Sequence, residues 1–133
     1  MKSIIPDANV FLRFLLNDIP YQVKKAETVF SKAKNREIAI IVPQIIIFEI
    51  QFTLDKYYQF SKSKINDKLK AIISMDYFRI EDRVLFLKAL DLWLANNISF
   101  PDAFLIYYCE EHHGELFSFD TKLNKLTSLL TSS

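Results

Sequence analysis

Four acidic residues come from distant parts of the sequence, and their side chains could together bind a cation. They are Asp7, Glu49, Asp102 and Asp120. Two carboxylates about 4 Å apart repel each other by about 4 kcal/mol at an effective dielectric constant near 20, so a group of them needs protons or a cation. Carboxylate oxygens with room for water suit Mg²⁺ or Mn²⁺, and such a site promotes hydrolysis of phosphodiester bonds.

Three of these acids also have a purely structural interpretation. The stretch Ser99-Phe100-Pro101-Asp102 matches a capping box in which Asp takes the usual place of Glu. Asp120 could be the N-cap of a final helix, and Asp7 could end a strand in an Asx turn. Each of these roles is local, so none of them conflicts with metal binding.

Glu49 has no such local role in the sequence. Its neighbours on a helical face are Ile45, Ile46 and Phe52. An unpaired carboxylate on a buried apolar face is costly. We therefore expect Glu49 to have a functional partner.

The spacing of apolar residues predicts strands and helices in alternation. Strands are predicted at 4–5, 38–42, 77–80 and 115–119. Helices are predicted from about residue 10 to 15 and at 21–34, 43–58, 62–75, 82–96, 99–113 and 120–130, with Gly114 as a C-cap. Strands separated by helices indicate an α/β fold with a parallel sheet, and the absence of a linker or repeat predicts a single domain over residues 1–133.

A parallel sheet would direct the acids to one edge, because ligands bind outside the carboxyl ends of its strands. Asp7 and Asp120 follow predicted strands directly. Connecting helices run antiparallel to the strands, so the helix that carries Asp102 also begins at that edge. Glu49 lies about 9 Å along its helix at 1.5 Å per residue, near enough to lean toward it.

The composition excludes several other kinds of site. A single cysteine rules out an internal disulfide and a multi-cysteine zinc site, and a single glycine rules out Gly-rich phosphate loops. The adjacent His112 and His113 cannot present both rings on one helix face. The net charge of +1 means that any phosphate binding needs a local basic patch. Without a signal peptide or a membrane-length apolar run, a cytoplasmic location is predicted.

Three stretches together resemble the PIN-domain ribonucleases, and most closely the VapC-type toxins of toxin–antitoxin modules. They are IIPDANVFLRFLLND, IVPQIIIFEI and ISFPDAFLIYYCEEHHGELFSFDTKL. The resemblance implies a three-layer PIN-like fold with a parallel sheet of four or five strands flanked by helices. It also implies that Mg²⁺ or Mn²⁺ is held by Asp7, Glu49, Asp102 and Asp120.

The same resemblance assigns helper residues and partners. Asn9 and Ser118 are implied to orient water or an Asp side chain. The family dimerises and is blocked by a cognate antitoxin, which would involve residues 54–60 here. Many members add a final strand after the last helix, whereas this sequence ends at Ser133, which leaves the fifth strand in question.

RNA contacts must come from local charge. Arg13 is a candidate for a phosphate contact, and the lysine-rich stretch 56–70 is either an RNA contact or a solvated helix face. The leading hypothesis is a metal-dependent endoribonuclease toxin. The alternatives are a catalytically inactive PIN-like module that binds RNA or protein, and a phosphatase with Asp7 as nucleophile. The phosphatase is disfavoured because Asn9 stands where that chemistry wants a second Asp.

Overall fold

The computed structural model describes residues 1–131, and these divide into two compact units, Met1–Arg83 and residues 84–131. Ser132 and Ser133, where a final strand was in question, lie outside the described residues. The first unit contains β1 (Ser3–Ile4), α1 (Ala8–Leu16), α2 (Pro20–Lys34), β2 (Ala39–Val42), α3 (Gln44–Lys56), α4 (Lys62–Ile73) and β3 (Phe78–Ile80). The second unit consists of α5 (Arg83–Ala95), which begins at the boundary residue, α6 (Phe100–Glu111) and α7 (Thr121–Thr131).

The sheet of the first unit is parallel, as the sequence predicted, and its strand order is β1-β2-β3. Ser3 pairs with Ala39, and Ile40 pairs with Phe78. Ile40 is fully buried because the central strand is covered on both faces, which explains its run of β-branched residues.

The prediction of four or five strands was wrong for the described residues, which contain three. The missing element is the predicted strand 115–119, which forms neither helix nor strand. Its alternating apolar residues have no neighbouring backbone to pair with, and a strand exists only when its N–H and C=O groups find such a partner. The other three predicted strands are confirmed to within a residue or two.

Aromatic rings fill the core of the first unit. The Phe11 ring stacks on Phe30 with centroids 5.4 Å apart and meets Phe78 edge-on at 5.6 Å. This cluster joins α1, α2 and β3, so the helix that begins beside Asp7 is held directly against the sheet. Such ring pairs contribute about 0.5–1.5 kcal/mol each beyond their buried area.

The second unit has its own aromatic core. The Phe86 ring lies 4.5 Å from Phe104, and the Trp93 ring meets Phe100 at 5.5 Å. Leu123 is the one buried residue of α7. This helix is therefore anchored to its unit more lightly than α5 or α6.

Several elements end at residues with a left-handed backbone, although none of these residues is glycine. Asn17, the C-cap of α1, has φ 51°, and Arg36, just after α2, has φ 63°. Gly114 is not the C-cap of α6 as predicted, because that position is His112, and His113 after it takes the left-handed conformation at φ 54°. The Gly114 amide then donates to the Cys109 carbonyl at 2.7 Å, which closes the last turn of α6.

Arg83 fixes the connection between α4 and β3. Its guanidinium donates to the carbonyl oxygens of Ile73, Met75 and Phe78. These carbonyls belong to the end of the helix and the start of the strand, where backbone acceptors lack a partner within their own element. No helix among residues 1–131 has the length and apolar character needed to cross a membrane.

Candidate functional site

Asp7 stands at the carboxyl edge of the sheet, between the end of β1 and the start of α1. Its backbone is extended, with φ −77° and ψ 173°, as is typical of a residue that caps the start of a helix. One carboxylate oxygen, Oδ1, accepts a hydrogen bond from the Val10 amide at 3.3 Å, so Asp7 is the N-cap of α1. The side chain is exposed, and its other oxygen faces the positive end of the helix dipole without a partner among residues 1–131.

A cavity of about 300 Å³ lies beside Asp7, between α1 and α2. From α1 it is lined by Asp7, Asn9 and Arg13, and from α2 by Gln22 and Lys25, with apolar residues between them. The cavity thus combines a carboxylate, two amides and cationic groups with an apolar wall. Gln22 and Lys25 were not predicted as site residues, because neither belongs to a motif that would distinguish it from other polar residues of a helix.

Arg13 is the one buried charged residue among residues 1–83. Only 8% of its surface is exposed. Its Nη1 lies 2.9 Å from Oδ2 of Asp18, and its Nη2 donates to the hydroxyl of Tyr58 at 2.7 Å. Its Nε is buried without a hydrogen-bond partner. Arg13 therefore joins α1 to the segment after α3, while the same side chain lines the cavity beside Asp7.

Glu49 occupies an exposed position on α3. Its apolar neighbours do not bury it, since Ile45 is 60% exposed and Phe52 is 61% exposed, although Ile46 is buried. The carboxylate therefore has no desolvation penalty to offset. It makes no hydrogen bond or ion pair with any residue in the range 1–131, so both of its oxygens are available to a ligand.

Asp102 lies in the first turn of α6 and is half-buried. The Ser99 hydroxyl caps the helix by accepting from the Asp102 amide at 3.2 Å, which confirms one half of the predicted capping box. The reciprocal bond, from the Ser99 amide to the Asp102 carboxylate, is not formed among the described residues. The backbone of Asp102 thus serves the cap, and its carboxylate has no partner there.

Asp120 is the N-terminal cap of α7, as one of its two interpretations predicted. Its Oδ1 accepts from the Leu123 amide at 3.1 Å. Ser118 supports this turn from both sides, because its Oγ accepts from the Asp120 amide at 3.0 Å and its carbonyl accepts from the Asn124 side chain at 2.8 Å. The geometric argument from a preceding strand does not hold for Asp120, since residues 115–119 are not a strand.

The chemistry of the four carboxylates fits a hard cation. None of them forms an ion pair with Lys or Arg within residues 1–131, and each keeps at least one oxygen without an intramolecular partner. Such oxygens are the ligands that Mg²⁺ and Mn²⁺ prefer. Among residues 1–131, no three His, Cys, Asp or Glu side chains are grouped so that they could hold a metal ion.

One of three comparisons with known proteins finds a match. The family model for the PIN domain matches residues 4–129, which include all four acids and both helper residues. No curated protein and no solved structure matches the chain. Because the matched range covers nearly the whole sequence, the chain belongs to the PIN-domain family.

Proposed function

We propose that this protein is a metal-dependent endoribonuclease and the toxin of a type II toxin–antitoxin module. PIN domains are generally nucleases and typically use divalent metal ions. The observation that carries the proposal is the environment of Asp7: an exposed carboxylate at the carboxyl edge of a parallel sheet, beside a cavity lined by amides and cations.

The proposed ligands of Mg²⁺ or Mn²⁺ are Asp7, Glu49, Asp102 and Asp120. When bound there, the cation would neutralise negative charge on the scissile phosphate and favour displacement at phosphorus. Side chains of the protein would position the water and the substrate. Glu49, with both carboxylate oxygens free of intramolecular partners among residues 1–131, would bind the cation or orient the attacking water, which loses its proton to solvent.

Two polar residues position this arrangement. Asn9 lines the cavity within one turn of α1 from the Asp7 carboxylate and can orient water by its side-chain amide. Ser118 holds the Asp120 backbone through its hydroxyl. Water adds to phosphorus, the bond from phosphorus to the 3′ oxygen breaks, and the departing oxygen takes up a proton. The products are a 3′-hydroxyl and a 5′-phosphate.

RNA cleavage by purified protein tests the proposal. We expect cleavage of total RNA in the presence of Mg²⁺ or Mn²⁺, 5′-phosphates at the new ends, and loss of activity on addition of a chelator. Asp7→Asn should lower the rate by about 100-fold or more, the effect of removing one electrostatic element from a hydrolytic site. Asn caps helices as well as Asp does, so the fold should persist, and circular dichroism measures this.

The control is Asp76→Asn, which removes the same charge from an exposed aspartate outside the proposed set. Its cleavage rate should equal that of the wild type. Cleavage without a metal, or full activity in Asp7→Asn, would contradict the proposal. RNA binding without cleavage in the wild type would identify instead an inactive PIN-like binding module.

The toxin role, a homodimer, a cytoplasmic location and inhibition by a cognate antitoxin are the finer parts of the proposal. Their support is the resemblance of the three motif stretches to VapC-type toxins. Expression in a bacterial host should arrest growth, and Asp7→Asn should relieve the arrest. Equal growth inhibition by both proteins would argue against a toxin that acts by cleavage.

A further inference from the structure

Three aromatic rings follow one another where α3 ends and α4 is about to begin, and Tyr57 is exposed while Tyr58 and Phe60 are half-buried. Tyr57, the C-cap of α3, is 77% exposed, and its ring meets Tyr58 edge-on at 4.8 Å. Phe60 continues the row, with its ring centroid 5.9 Å from that of Tyr58. A ring as exposed as Tyr57 leaves one face available to a planar ligand.

Two lysines of α4 adjoin these rings. The Lys64 and Lys68 ammonium groups lie 4.5 Å and 5.7 Å from the centroid of the Phe60 ring. Residues 55–70 contain five lysines and two aspartates, whereas the whole chain has a net charge of only +1. Neither Lys64 nor Lys68 is paired with a carboxylate among the described residues. The positive charge of Lys64 and Lys68 is therefore available to an anion.

Arg13 fixes these rings relative to the candidate site. Its Nη2 donates to the Tyr58 hydroxyl at 2.7 Å, and α1 packs against α3. The same helix begins at its cap Asp7, six residues earlier, or about 9 Å along the axis. A strand held on the rings would consequently be held at a defined distance from the Asp7 carboxylate.

We propose that Tyr57, Tyr58, Phe60, Lys64 and Lys68 form an aromatic–basic surface that binds single-stranded RNA next to the Asp7 site. A base stacks on Tyr57, and the two ammonium groups contact the phosphates that follow. Stacking requires an unpaired base, which a double helix does not offer, so the ligand is single-stranded. Because every base has a π face, the surface tolerates any sequence. The inference rests on the proposed function for its choice of RNA.

Binding is measured separately from cleavage. Full-length Asp7→Asn protein is titrated into a fluorescein-labelled oligouridine of about 12 nucleotides, within the range of single-strand site sizes, and anisotropy is followed over a series of potassium chloride concentrations. Tyr57→Leu should weaken binding by roughly 5-fold to 100-fold because it removes the stacking ring, while Tyr57→Phe should bind as tightly as the parent.

The lysines are tested through the salt dependence of binding. Removing one lysine–phosphate contact should lower the slope of log affinity against log salt by about 0.7, so Lys64→Ala with Lys68→Ala should lower it by about 1.4. The matched control is Lys32→Ala with Lys34→Ala, two exposed lysines of α2, which should leave the slope unchanged.

Unchanged RNA affinity and slope in the Tyr57→Leu and double-lysine variants would overturn the inference. A surface that serves a protein partner would give that result. If oligouridine binds through this surface but wild-type protein cleaves no RNA, the inference survives and the proposed function fails. If wild-type protein cleaves RNA but the surface variants bind it normally, the proposed function survives and the inference about this surface fails.

Discussion

Two junctions in this chain look alike in sequence and differ in structure. In each, an apolar stretch leads to an aspartate that caps a helix: Asp7 bonds the Val10 amide, and Asp120 bonds the Leu123 amide. Before Asp7 the chain is a strand paired with β2. Before Asp120 it is an unpaired segment in which Phe117 is 84% exposed and Phe119 is 91% exposed.

The difference separates local from non-local determinants. A cap forms between residues three apart, so four residues of sequence are enough to specify it. A strand needs a distant partner at the right register, and alternating apolar residues do not supply one. The helices that follow differ likewise, since α1 is anchored by Phe11 and Arg13, whereas α7 buries only Leu123.

Substitution of Asp120 tests whether Asp7 and Asp120 share a role, and we expect a large loss of activity. In the proposed site, Asp120→Asn should lower RNA cleavage by about 100-fold, as Asp7→Asn does, because each removes one carboxylate of a common cation site. The melting temperatures should stay close to that of the wild type, since Asn preserves both caps. Normal cleavage by Asp120→Asn would mean that Asp120 caps α7 and does not bind the cation.

The next effect concerns the anchoring of α1. Arg13→Ala should lower the free energy of unfolding by about 2 kcal/mol, because it removes a charge-assisted hydrogen bond to the Tyr58 hydroxyl and the ion pair with the exposed Asp18. Urea denaturation followed by circular dichroism measures this loss.

Arg79→Ala is the matched control for that measurement. Arg79 is exposed on β3 and forms no ion pair within residues 1–131, so its loss should change stability by less than about 0.5 kcal/mol. Equal losses for the two arginines would mean that the Arg13 contacts do not stabilise the first unit.

The distinction between local and non-local determinants also explains which features could be predicted from the sequence. The helices, three parallel strands and the Ser99 and Asp120 caps were predicted because each depends on a periodicity or on residues three or four apart. The fourth strand was not obtained because its pairing is non-local. The apolar neighbours of Glu49 did not reveal its exposure, because the pattern of α3 does not say which apolar face is covered.

The site was predicted less completely than the elements. Asp7 could be placed at the sheet edge because a parallel strand ends just before it. The pairing of Arg13 with Asp18 and Tyr58 was missed, since Tyr58 is 45 residues away and only the folded chain brings it near. The nearest hint in the sequence was a lone arginine between Leu12 and Phe14 on an apolar helix.

Alanine variants compare the contributions of the two caps to stability, and here we expect smaller changes. Asp7→Ala and Asp120→Ala should each lower stability by about 1 kcal/mol, because each leaves one helix amide without its acceptor. Thermal denaturation of both variants measures the two costs side by side. Glu115→Ala, an exposed acid outside any cap, serves as the control and should cost less than about 0.5 kcal/mol. A large loss at only one site would show that a cap's value depends on what precedes it.

The left-handed turn after α2 also has a consequence for engineering. An L-residue in that conformation costs about 1–2 kcal/mol, and Arg36 accepts this cost where glycine would not. Glycine would in turn give up about 0.5–1 kcal/mol of chain entropy, so Arg36→Gly should raise the free energy of unfolding by between about 0 and 1.5 kcal/mol. The turn after α2 is thus a position at which a second glycine could raise the thermal stability of a chain that has only one.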